Sequence, residues 1–361
     1  MIRILHVITS LEIGGAEKLM VDLIPRLKSS EIEVDLLVFN PTRTIFTEQL
    51  EEQGIKVMTL SNSANVYNPL NIFRLIPIIR QYDIIHTHNT ACQLFVPIAK
   101  VLSFAKCRLI TTEHSTQNRR RGKILLKMVD IWMYRRYKCV ICVSDKVEQS
   151  LKTHLKGKAN CAKLITINNG VNVDKFMQAH PFSELPFISR NDRIIIMVAR
   201  FAYPKDQNTV IKSLQYLPQN VKLLFVGDGD TIDESKDLVD KMSLKSRVFF
   251  LGISSNIAEL MKLAEIIVLA SHYEGLSLSS VEAMASGRPF VASDVPGLRE
   301  VVSGAGILFP DGNSQKLAEI LNKLLSDKVY YISVVNSCVN KAKEFDISET
   351  VKQYLKSYCE L

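Results

Sequence analysis

Between residues 265 and 287 the sequence is Glu265-Ile-Ile-Val-Leu-Ala-Ser-His-Tyr-Glu-Gly-Leu-Ser-Leu-Ser-Ser-Val-Glu-Ala-Met-Ala-Ser-Gly287. Its apolar start predicts a short β-strand that ends at Ala270, and Gly275 predicts a turn. A helix is expected from about Ser279 to Ser286, with Gly287 as the left-handed residue that ends it. A strand, a glycine turn and a helix start together leave backbone N–H groups free to bind a phosphate.

Two glutamates flank this predicted phosphate site. Glu274 lies in the loop, and Glu282 lies one turn into the helix. Two carboxylates beside a phosphate suit a ligand rich in hydroxyl groups, with one for a sugar ring and one for a ribose. Two alternatives stay open on this segment alone. Ser271 and Ser279 give both glutamates the Ser-x-x-Glu spacing of a helix capping box, and paired carboxylates are also the acid and base of a glycosidase.

Two basic residues favour the phosphate. A predicted strand ends in Arg200, and Lys205 follows in the next loop. Ligands of open parallel sheets bind at the carboxyl ends of the strands. Arginine can bind a phosphate with two N–H groups, and lysine adds a point charge. Alone, such a loop is more often simply solvated, but together with the two glutamates it indicates a site for a diphosphate.

The composition is that of a globular enzyme. The chain has 361 residues, of which 47% are hydrophobic and 23% charged, and this length is typical of two domains. No apolar run reaches the roughly 18 residues that span a bilayer, and the segment Met1–Thr9 predicts a first strand rather than a signal peptide. We therefore expect a cytoplasmic protein. Cys139 and Cys142 fall on a predicted strand and face opposite ways, so they predict core residues rather than metal ligands.

Positive charge is concentrated in one tract. The net charge of the chain is +8, and residues 119–138 hold eight Lys or Arg against one acid, Asp130. The apolar middle of this tract contains the only tryptophan, and it predicts either a helix on an anionic membrane surface or a core helix with solvated ends. No nucleic-acid recognition motif accompanies the charge, so no nucleic acid is expected as a partner. The residues expected on the membrane or acceptor side are Arg119, Arg120, Arg121, Lys123 and Trp132.

Predicted strands alternate with helices in both halves, which indicates an α/β fold with two doubly wound parallel sheets. The pattern breaks over residues 174–191, which predict a linker. We expect a Rossmann-like domain over residues 1–175, a second over residues 190–345 facing it across a central cleft, and a final helix within residues 346–361 that packs back on the first domain. The run Val226-Gly-Asp-Gly229 lacks the third glycine of the dinucleotide fingerprint, so a hydride-transfer enzyme is not expected.

Together these fragments resemble the retaining glycosyltransferases of family 4, which have the GT-B fold. The resemblance covers almost the whole chain. It rests on a series of short motifs in order: Gly14-Gly15-Ala-Glu17, Thr112-Glu-His-Ser115, Val143-Ser144, Asn169-Gly-Val171, Arg200 with Lys205, Val226-Gly-Asp-Gly229, Phe250-Leu-Gly252, and Glu274-x7-Glu282 with Ala283-Met-Ala-Ser-Gly287. Leu276-Ser277 stands where many members have Phe-Gly, and Ser279 where many have Pro, which bears on the choice of donor.

The resemblance implies a role for each matching residue. Glu282 would bind a ribose, Glu274 would face the transferred sugar, and His114 would lie near that sugar, to orient it or to help take the acceptor proton. His86 and His88 are candidates for the acceptor side. The implied catalytic residues are His114, Glu274, Arg200 and Lys205. The implied donor-binding residues are Gly14, Gly15, Arg200, Lys205, Gly227, Ile253, Glu274, Gly275, Leu276, Ser277, Leu278 and Glu282.

The implied function is retaining transfer of a sugar from a UDP- or GDP-linked donor to an acceptor hydroxyl. The basic tract of residues 119–138 suggests a membrane-attached acceptor, and our hypothesis is a saccharide or a polyprenyl-diphosphate-linked saccharide in surface polysaccharide assembly. Such an acceptor would hold the protein at the inner face of the cell membrane. No metal or other cofactor is expected, because the two cations and the helix N–H groups can neutralise the leaving phosphate. Two alternatives stay open: an isomerase like the nucleotide-sugar 2-epimerases, and a catalytically silent relative that binds nucleotide-sugars.

Overall fold

The structure is a computed structural model that describes residues 1–12, 14–115, 124–155 (for 124–126 the backbone alone), 163–183, 185–275 and 277–360. The chain forms two compact units. The first comprises Met1–Gly170 together with Ile347–Leu361, and the second comprises Val171–Asp346. In the described residues no helix is both long enough and apolar enough to cross a membrane.

The first unit alternates strands with helices. Its elements are β1 (Ile2–Ile8), α1 (Gly15–Leu27), β2 (Ile32–Val38), α2 (Ile45–Glu52), β3 (Val57–Thr59), α3 (Leu70–Ile79), β4 (Ile84–His88), α4 (Thr90–Ser103), β5 (Arg108–Glu113), α5 (Ile124–Tyr134), β6 (Cys139–Cys142), α6 (Asp145–Leu155) and β7 (Lys163–Thr166). The strands form one parallel sheet in the order β3-β2-β1-β4-β5-β6-β7.

This sheet is buried on both faces, as an all-parallel sheet requires. Alternate residues of β1 enter different apolar clusters, with Ile4 and Ile8 on one face and Leu5 and Val7 on the other. The cysteines of β6 divide in the same way, Cys139 into the first cluster and Cys142 into the second. The prediction that they are core residues is therefore confirmed.

The second unit repeats the alternation. Its elements are α7 (Val173–Gln178), β8 (Arg193–Val198), α8 (Gln207–Ser213), β9 (Val221–Val226), α9 (Ile232–Lys241), β10 (Val248–Phe250), α10 (Ile257–Leu263), β11 (Ile266–Leu269), α11 (Leu278–Ala285), β12 (Phe290–Ser293), α12 (Arg299–Val302), β13 (Ile307–Phe309), α13 (Ser314–Ser326) and α14 (Lys328–Lys343), with a short 3-10 helix at Leu214–Tyr216. The strands form a parallel sheet in the order β10-β9-β8-β11-β12-β13. The predicted architecture of two doubly wound parallel sheets is confirmed.

The segment predicted as a linker is not a linker along its whole length. It begins within α7, whose Val173 and Phe176 are buried in the core of the second unit. The helix is capped by Asn172, whose side-chain oxygen accepts a hydrogen bond from the Lys175 N–H. The first unit accordingly ends at Gly170 and not at residue 175. A last helix, α15 (Ile347–Cys359), belongs to the first unit, where Tyr354 and Tyr358 enter the apolar cluster of α1 and β1.

Candidate active site

Each sheet has one place where the winding changes direction. In the first unit β1 lies beside β4, and in the second β8 lies beside β11, with later strands added outward on either side. The loops that follow the two strands of such a pair lead to opposite faces of the sheet. They open a crevice at the carboxyl ends of the strands, which is where open α/β sheets bind ligands. The predicted catalytic and donor-binding residues that the structure describes lie in loops or in the first two turns of helices at the carboxyl ends of the two sheets.

In the second unit, the loop after β8 runs along the end of β11. Lys205 and Ser271 form an antiparallel bridge, and the Asp206 N–H donates to the Ala270 carbonyl over 3.0 Å. These contacts bring the basic loop beside the loop that holds Glu274.

The Lys205 ammonium and the Glu274 carboxylate form an ion pair, and only 17% and 13% of their side chains are exposed. The pair is therefore largely shielded, and each charge offsets the other. Arg200 differs: it is exposed, and within the described residues its guanidinium makes no hydrogen bond or ion pair. Of the two cations Arg200 and Lys205 in the loop after β8, Arg200 is thus the one whose charge no described carboxylate offsets.

Helix α11 starts and ends one residue earlier than expected, and Gly287 is the left-handed residue after it, as predicted. Its N-cap is Ser277, whose side chain makes no cap hydrogen bond, and Gly287 follows the helix with φ +73°. Ser279 is the second helical residue, so it cannot be the cap of a capping box with Glu282. The capping-box alternative for Glu282 is therefore wrong. The carboxylate of Glu282 lies on the second turn of α11, half-buried.

Two glycines hold the backbone of this site together. A Cβ on Gly227, which has φ +137°, would lie 2.1 Å from the Ala199 carbonyl oxygen, next to Arg200. A Cβ on Gly297, which has φ +91°, would lie 2.1 Å from the carbonyl oxygen of Glu274. Only glycine allows these approaches, so both residues shape the loops that carry charged site residues. The sequence signal for Gly297 was its place after a proline, and the sequence analysis missed it. Ile253, beyond β10, is 57% exposed.

In the first unit, α1 begins at Gly15 beside the end of β1, with Gly14 as its N-cap. A Cβ on Gly15 would meet no atom within 4 Å, so the space in front of this helix start is open. Glu17 lies in the first turn, and burial raises the pKa of its carboxyl. A higher pKa makes the carboxyl easier to protonate, which would reduce its repulsion of an anion at the helix start.

Four of the five histidines of the first unit form one buried group at the carboxyl ends of β1, β4 and β5, and the fifth, His154, pairs with Asp130 elsewhere. His6 pairs in register with His86 on the neighbouring strand, and the His6 Nδ1 lies 3.0 Å from the His88 Nε2. The His88 Nδ1 lies 3.1 Å from the Nε2 of His114. His86, His88 and His114 are thus brought together, and His6 joins them, a residue that the sequence analysis placed in a strand without a role.

Burial lowers the pKa of His6 to about 3 and that of His114 to about 4. The pKa values of His86 and His88 also lie well below the usual range, first because of burial and then because of the neighbouring imidazoles. All four rings are therefore neutral at physiological pH. The Nδ1 of His114 is buried and has no hydrogen-bond partner among the described residues, so it is the atom of this group that can still take one.

Glu113, which the sequence analysis gave no role of its own, anchors the strand that ends before His114. Its carboxylate accepts hydrogen bonds from the Gln93 side chain and the Tyr134 hydroxyl, each over 2.6 Å, and only 5% of the residue is exposed. The buried carboxylate thus ties β5 to α4 and α5.

On the expected membrane side, Trp132 is half-buried against the core and has the Arg136 guanidinium 5.2 Å from its ring centroid. Arg119, Arg120, Arg121 and Lys123 lie outside the described residues, as does Leu276 of the donor-binding set. Large apolar side chains are exposed instead on α3, where Leu70 and Phe73 are 56% and 63% exposed. The sequence signal for these exposed residues was that α3 contains more apolar residues than a helix with one buried face needs.

Residues 13–175 match the family described as Glycosyltransferase Family 4, and residues 183–345 match the family described as Glycosyl transferases group 1. The chain belongs to glycosyltransferase family 4. The recognition made from the motifs is confirmed, and the two matches together span nearly the whole chain.

Relatives within the family share this length. The chain is 24% identical to the UDP-Gal:alpha-D-GlcNAc-diphosphoundecaprenol alpha-1,3-galactosyltransferase of Escherichia coli, over 100% of this chain and 97% of that protein. It is 25% identical to the N,N'-diacetylbacillosaminyl-diphospho-undecaprenol alpha-1,3-N-acetylgalactosaminyltransferase of Campylobacter jejuni, over 93% of each. The fold matches that of Anabaena HepE in complex with UDP-glucose, with a TM-score of 0.80 and 23% identity over the full length of both chains. This likeness agrees with the predicted GT-B fold of this family 4 glycosyltransferase.

Proposed function

We propose that this glycosyltransferase moves a sugar from a UDP- or GDP-linked donor to a lipid-linked saccharide, with retention of configuration at the anomeric carbon and without a metal ion. The observation that carries the donor part is the crevice at β8 and β11. There an exposed arginine, a lysine, a helix start and two carboxylates lie at the carboxyl ends of neighbouring strands of one unit.

In this proposal the second unit binds the nucleotide-sugar. Arg200 contacts the diphosphate directly, because its guanidinium is exposed and unpaired within the described residues. Lys205 lies in the same loop and adds a smaller contribution, because its charge is partly offset by its ion pair with Glu274, and Glu274 in turn faces the hydroxyls of the transferred sugar. Glu282 binds the ribose from α11. Ile253 covers the base, because its side chain is more than half exposed just beyond β10, two strands from β8 in the sheet.

The chemistry follows from where charge develops. Breaking the bond between the sugar and the diphosphate builds negative charge on the leaving phosphate. Arg200, Lys205 and the N–H groups at the start of α11 are fixed before the reaction and are positive or partly positive, so they stabilise that charge more than they stabilise the ground state. These groups supply the neutralisation that a divalent cation would otherwise provide.

The acceptor part rests on the relatives and on the surface of the first unit. The relatives from Escherichia coli and Campylobacter jejuni carry names that specify undecaprenol-diphosphate-linked acceptors. A lipid-linked acceptor lies in a membrane surface, and the exposed Leu70 and Phe73 at the start of α3 can bury apolar area there. The basic residues 119–123 precede α5 in sequence and would add attraction to anionic lipids.

The test is transfer by the purified full chain. UDP- and GDP-linked sugars are each incubated with a short polyprenyl-diphosphate-linked N-acetylglucosamine, and products are followed by mass spectrometry. We expect a saccharide one sugar longer with one donor class, loss of the product in Arg200→Ala, and full activity in Arg190→Ala, which removes an exposed arginine elsewhere in the same unit. A changed nucleotide-sugar without any acceptor would identify an isomerase instead, and binding without either product would identify a silent relative.

A further inference from the structure

A series of buried hydrogen bonds leads from α15 to His114 in the first unit. Each group contacts the next in the order Tyr354, Thr112, His86, Tyr358, His6, His88, His114. The successive distances between their polar atoms are 3.3, 2.8, 2.8, 3.2, 3.0 and 3.1 Å. We call these contacts the hydrogen-bond series. All its members except His114 are fully or almost fully buried.

The imidazoles in this series meet edge to edge. The rings of His6 and His88 are within 9° of parallel, and their centroids are 5.2 Å apart. That separation is close to the largest that a 3.0 Å contact between ring nitrogens permits, so the two nitrogens point at each other. A straight N–H···N contact of this kind is a hydrogen bond.

The same geometry argues against a metal ion in the group. His6, His86 and His88 are near enough to one another to share one. Zinc, however, needs nitrogen lone pairs that converge on a point about 2.0 Å from each nitrogen. The facing nitrogens of His6 and His88 are directed at each other, and both nitrogens of His86 are engaged by hydroxyl groups.

Each of the seven groups carries one proton that can form a hydrogen bond. The imidazoles are neutral because burial lowers their pKa values, and burial raises the pKa of Tyr354 to about 12 and that of Tyr358 well above its usual value. Six contacts use six protons, so one proton remains. It stays at one end of the series unless the Thr112 or Tyr358 hydroxyl accepts from both of its neighbours, which would leave that buried hydroxyl proton and the His114 Nδ1 both without a partner. If all hydrogen bonds point towards His114, the remaining proton is on its Nδ1. If they all point the other way, the remaining proton is on the Tyr354 hydroxyl.

The surroundings of Tyr354 decide between these directions. Tyr354 is 0% exposed, and the hydrogen-bond partner of its hydroxyl in the described part of the chain is Thr112. The direction away from His114 would leave a buried hydroxyl proton without an acceptor and, at the other end, a bare Nδ1. The direction towards His114 leaves a single unsatisfied atom. That atom is the Nδ1–H, so this direction leaves one unsatisfied buried group where the other leaves two, and it is favoured for that reason.

We propose that His114 acts as a fixed, neutral hydrogen-bond donor through its Nδ1–H, and that His88, His6 and Tyr358 are positioning residues that hold it in this tautomer. The ligand group is an oxygen atom, and that it belongs to a sugar rests on the proposed function. The Nε2 of His114 accepts from the His88 Nδ1–H. With both nitrogens thus committed, His114 orients a sugar oxygen and does not take the acceptor proton as a general base.

The test is to read the tautomer directly. The full chain, labelled with ¹⁵N-histidine, is studied without substrate by long-range ¹H–¹⁵N correlation spectra at pH 7, and His114→Gln assigns the signals of His114 among the seven histidines. We expect at least about nine-tenths of His114 with the proton on Nδ1. A proton on Nε2, a charged ring, or signals of His6 and His88 that move on addition of Zn²⁺ to a metal-bound pattern would overturn the proposal.

A second variant tests the coupling. Tyr358→Phe removes the hydroxyl that joins His86 to His6 and keeps the ring, so the core stays filled. We expect the Nε2–H form of His114 to rise several-fold in this variant. Tyr331→Phe, which removes a hydroxyl bonded to a backbone carbonyl in the second unit, is the matched control and should change nothing. An unchanged His114 in Tyr358→Phe would contradict the positioning role. Because the spectra need no donor or acceptor, the tautomer can be right or wrong independently of the transfer activity.

Discussion

The two crevices of this glycosyltransferase differ in how they carry polar groups. At β8 and β11 the groups are charged and partly exposed: Arg200 faces solvent, and Lys205 pairs with Glu274. At β1 and β4 the groups are neutral, buried imidazoles that bond to one another and to tyrosines. The charged crevice is suited to stabilising a phosphate whose charge grows. The neutral crevice is suited to holding one hydrogen-bonding atom in a fixed direction.

The largest expected effect is the response of the two units to acid. Rings whose pKa values are lowered by folding bind fewer protons in the folded than in the unfolded state, so stability is complete above about pH 6.5 and falls as the pH drops towards the folded pKa values of about 3 for His6 and about 4 for His114. The free energy of unfolding of the first unit should fall by up to about 1.4 kcal/mol per pH unit for each such ring.

Urea unfolding between pH 7.5 and 5 measures this difference. The only tryptophan, Trp132, reports on the first unit. Phe187→Trp, in a Trp132→Phe background, reports on the second, whose histidines, His180 and His272, are both exposed. The first unit should lose much more stability than the second. Equal losses would show that the buried imidazoles are not held neutral.

The second largest effect is expected from Arg200→Ala. Removing an exposed cation aimed at the leaving phosphate should lower kcat/KM by roughly 10²- to 10³-fold, with little change in Tm because the side chain makes no contact that folding needs. Lys205→Ala should cost less, because the charge of Lys205 is already offset by Glu274. Steady-state kinetics of both variants measure the order, and a larger loss for Lys205→Ala would reverse the assignment of the main phosphate contact.

A smaller effect is expected from Glu282→Ala. Loss of the hydrogen bonds that the ribose hydroxyls donate to this carboxylate should weaken nucleotide-sugar binding by about tenfold or more, measured by calorimetry. Glu282→Gln keeps the shape and part of the hydrogen bonding and should lie between. Unchanged affinity in both variants would mean that this end of α11 does not contact the ribose.

A still smaller effect concerns the surface of the first unit. The double variant Leu70→Ser with Phe73→Ser should lower co-sedimentation with vesicles of phosphatidylglycerol and phosphatidylcholine about fivefold. Both apolar side chains expose much of their area to water, and the variant removes the apolar area that they could bury in the membrane. Phe104→Ser, 89% exposed just before β5 at the amino edge of the sheet, is the control and should bind like the parent. Equal loss in both variants would mean that α3 is not a specific contact.

The last prediction is that removal of divalent metal ions has no effect on transfer. Transfer by the purified protein should be unchanged after dialysis against EDTA, because fixed cations and helix N–H groups neutralise the leaving phosphate in our proposal. Activity that is lost and then restored by Mg²⁺ or Mn²⁺ would refute the metal-independent mechanism while leaving the donor site in place.

Much of the charged crevice could be predicted from sequence because its parts are local. Residues 265–287 contain a strand, a glycine turn and a helix start in succession, and each has its own signal. The ion pair between Lys205 and Glu274 was not foreseen, since it depends on β8 and β11 being neighbours, which the order of strands along the chain does not reveal.

The neutral crevice could not be predicted in the same way. Tyr358 contacts His6 across 352 positions of sequence, and no local pattern connects a tyrosine in the last helix to a histidine in the first strand. The edge strands β7 and β13 are short and only partly buried, so they lack the strong apolar pattern from which a strand can be predicted. Residues 174–191 contain prolines, which hid the short helix α7.

The most direct test of the account is a thermal-shift series with UDP-, GDP-, ADP- and CMP-sugars. A ligand that binds only the folded state adds about 2.7 kcal/mol of stability at a hundred times its Kd. The account predicts that one of the UDP or GDP classes raises Tm, that Arg200→Ala abolishes the rise, and that Arg190→Ala keeps it. A rise that survives in Arg200→Ala and Glu282→Ala would contradict the claim that the crevice at β8 and β11 binds the donor.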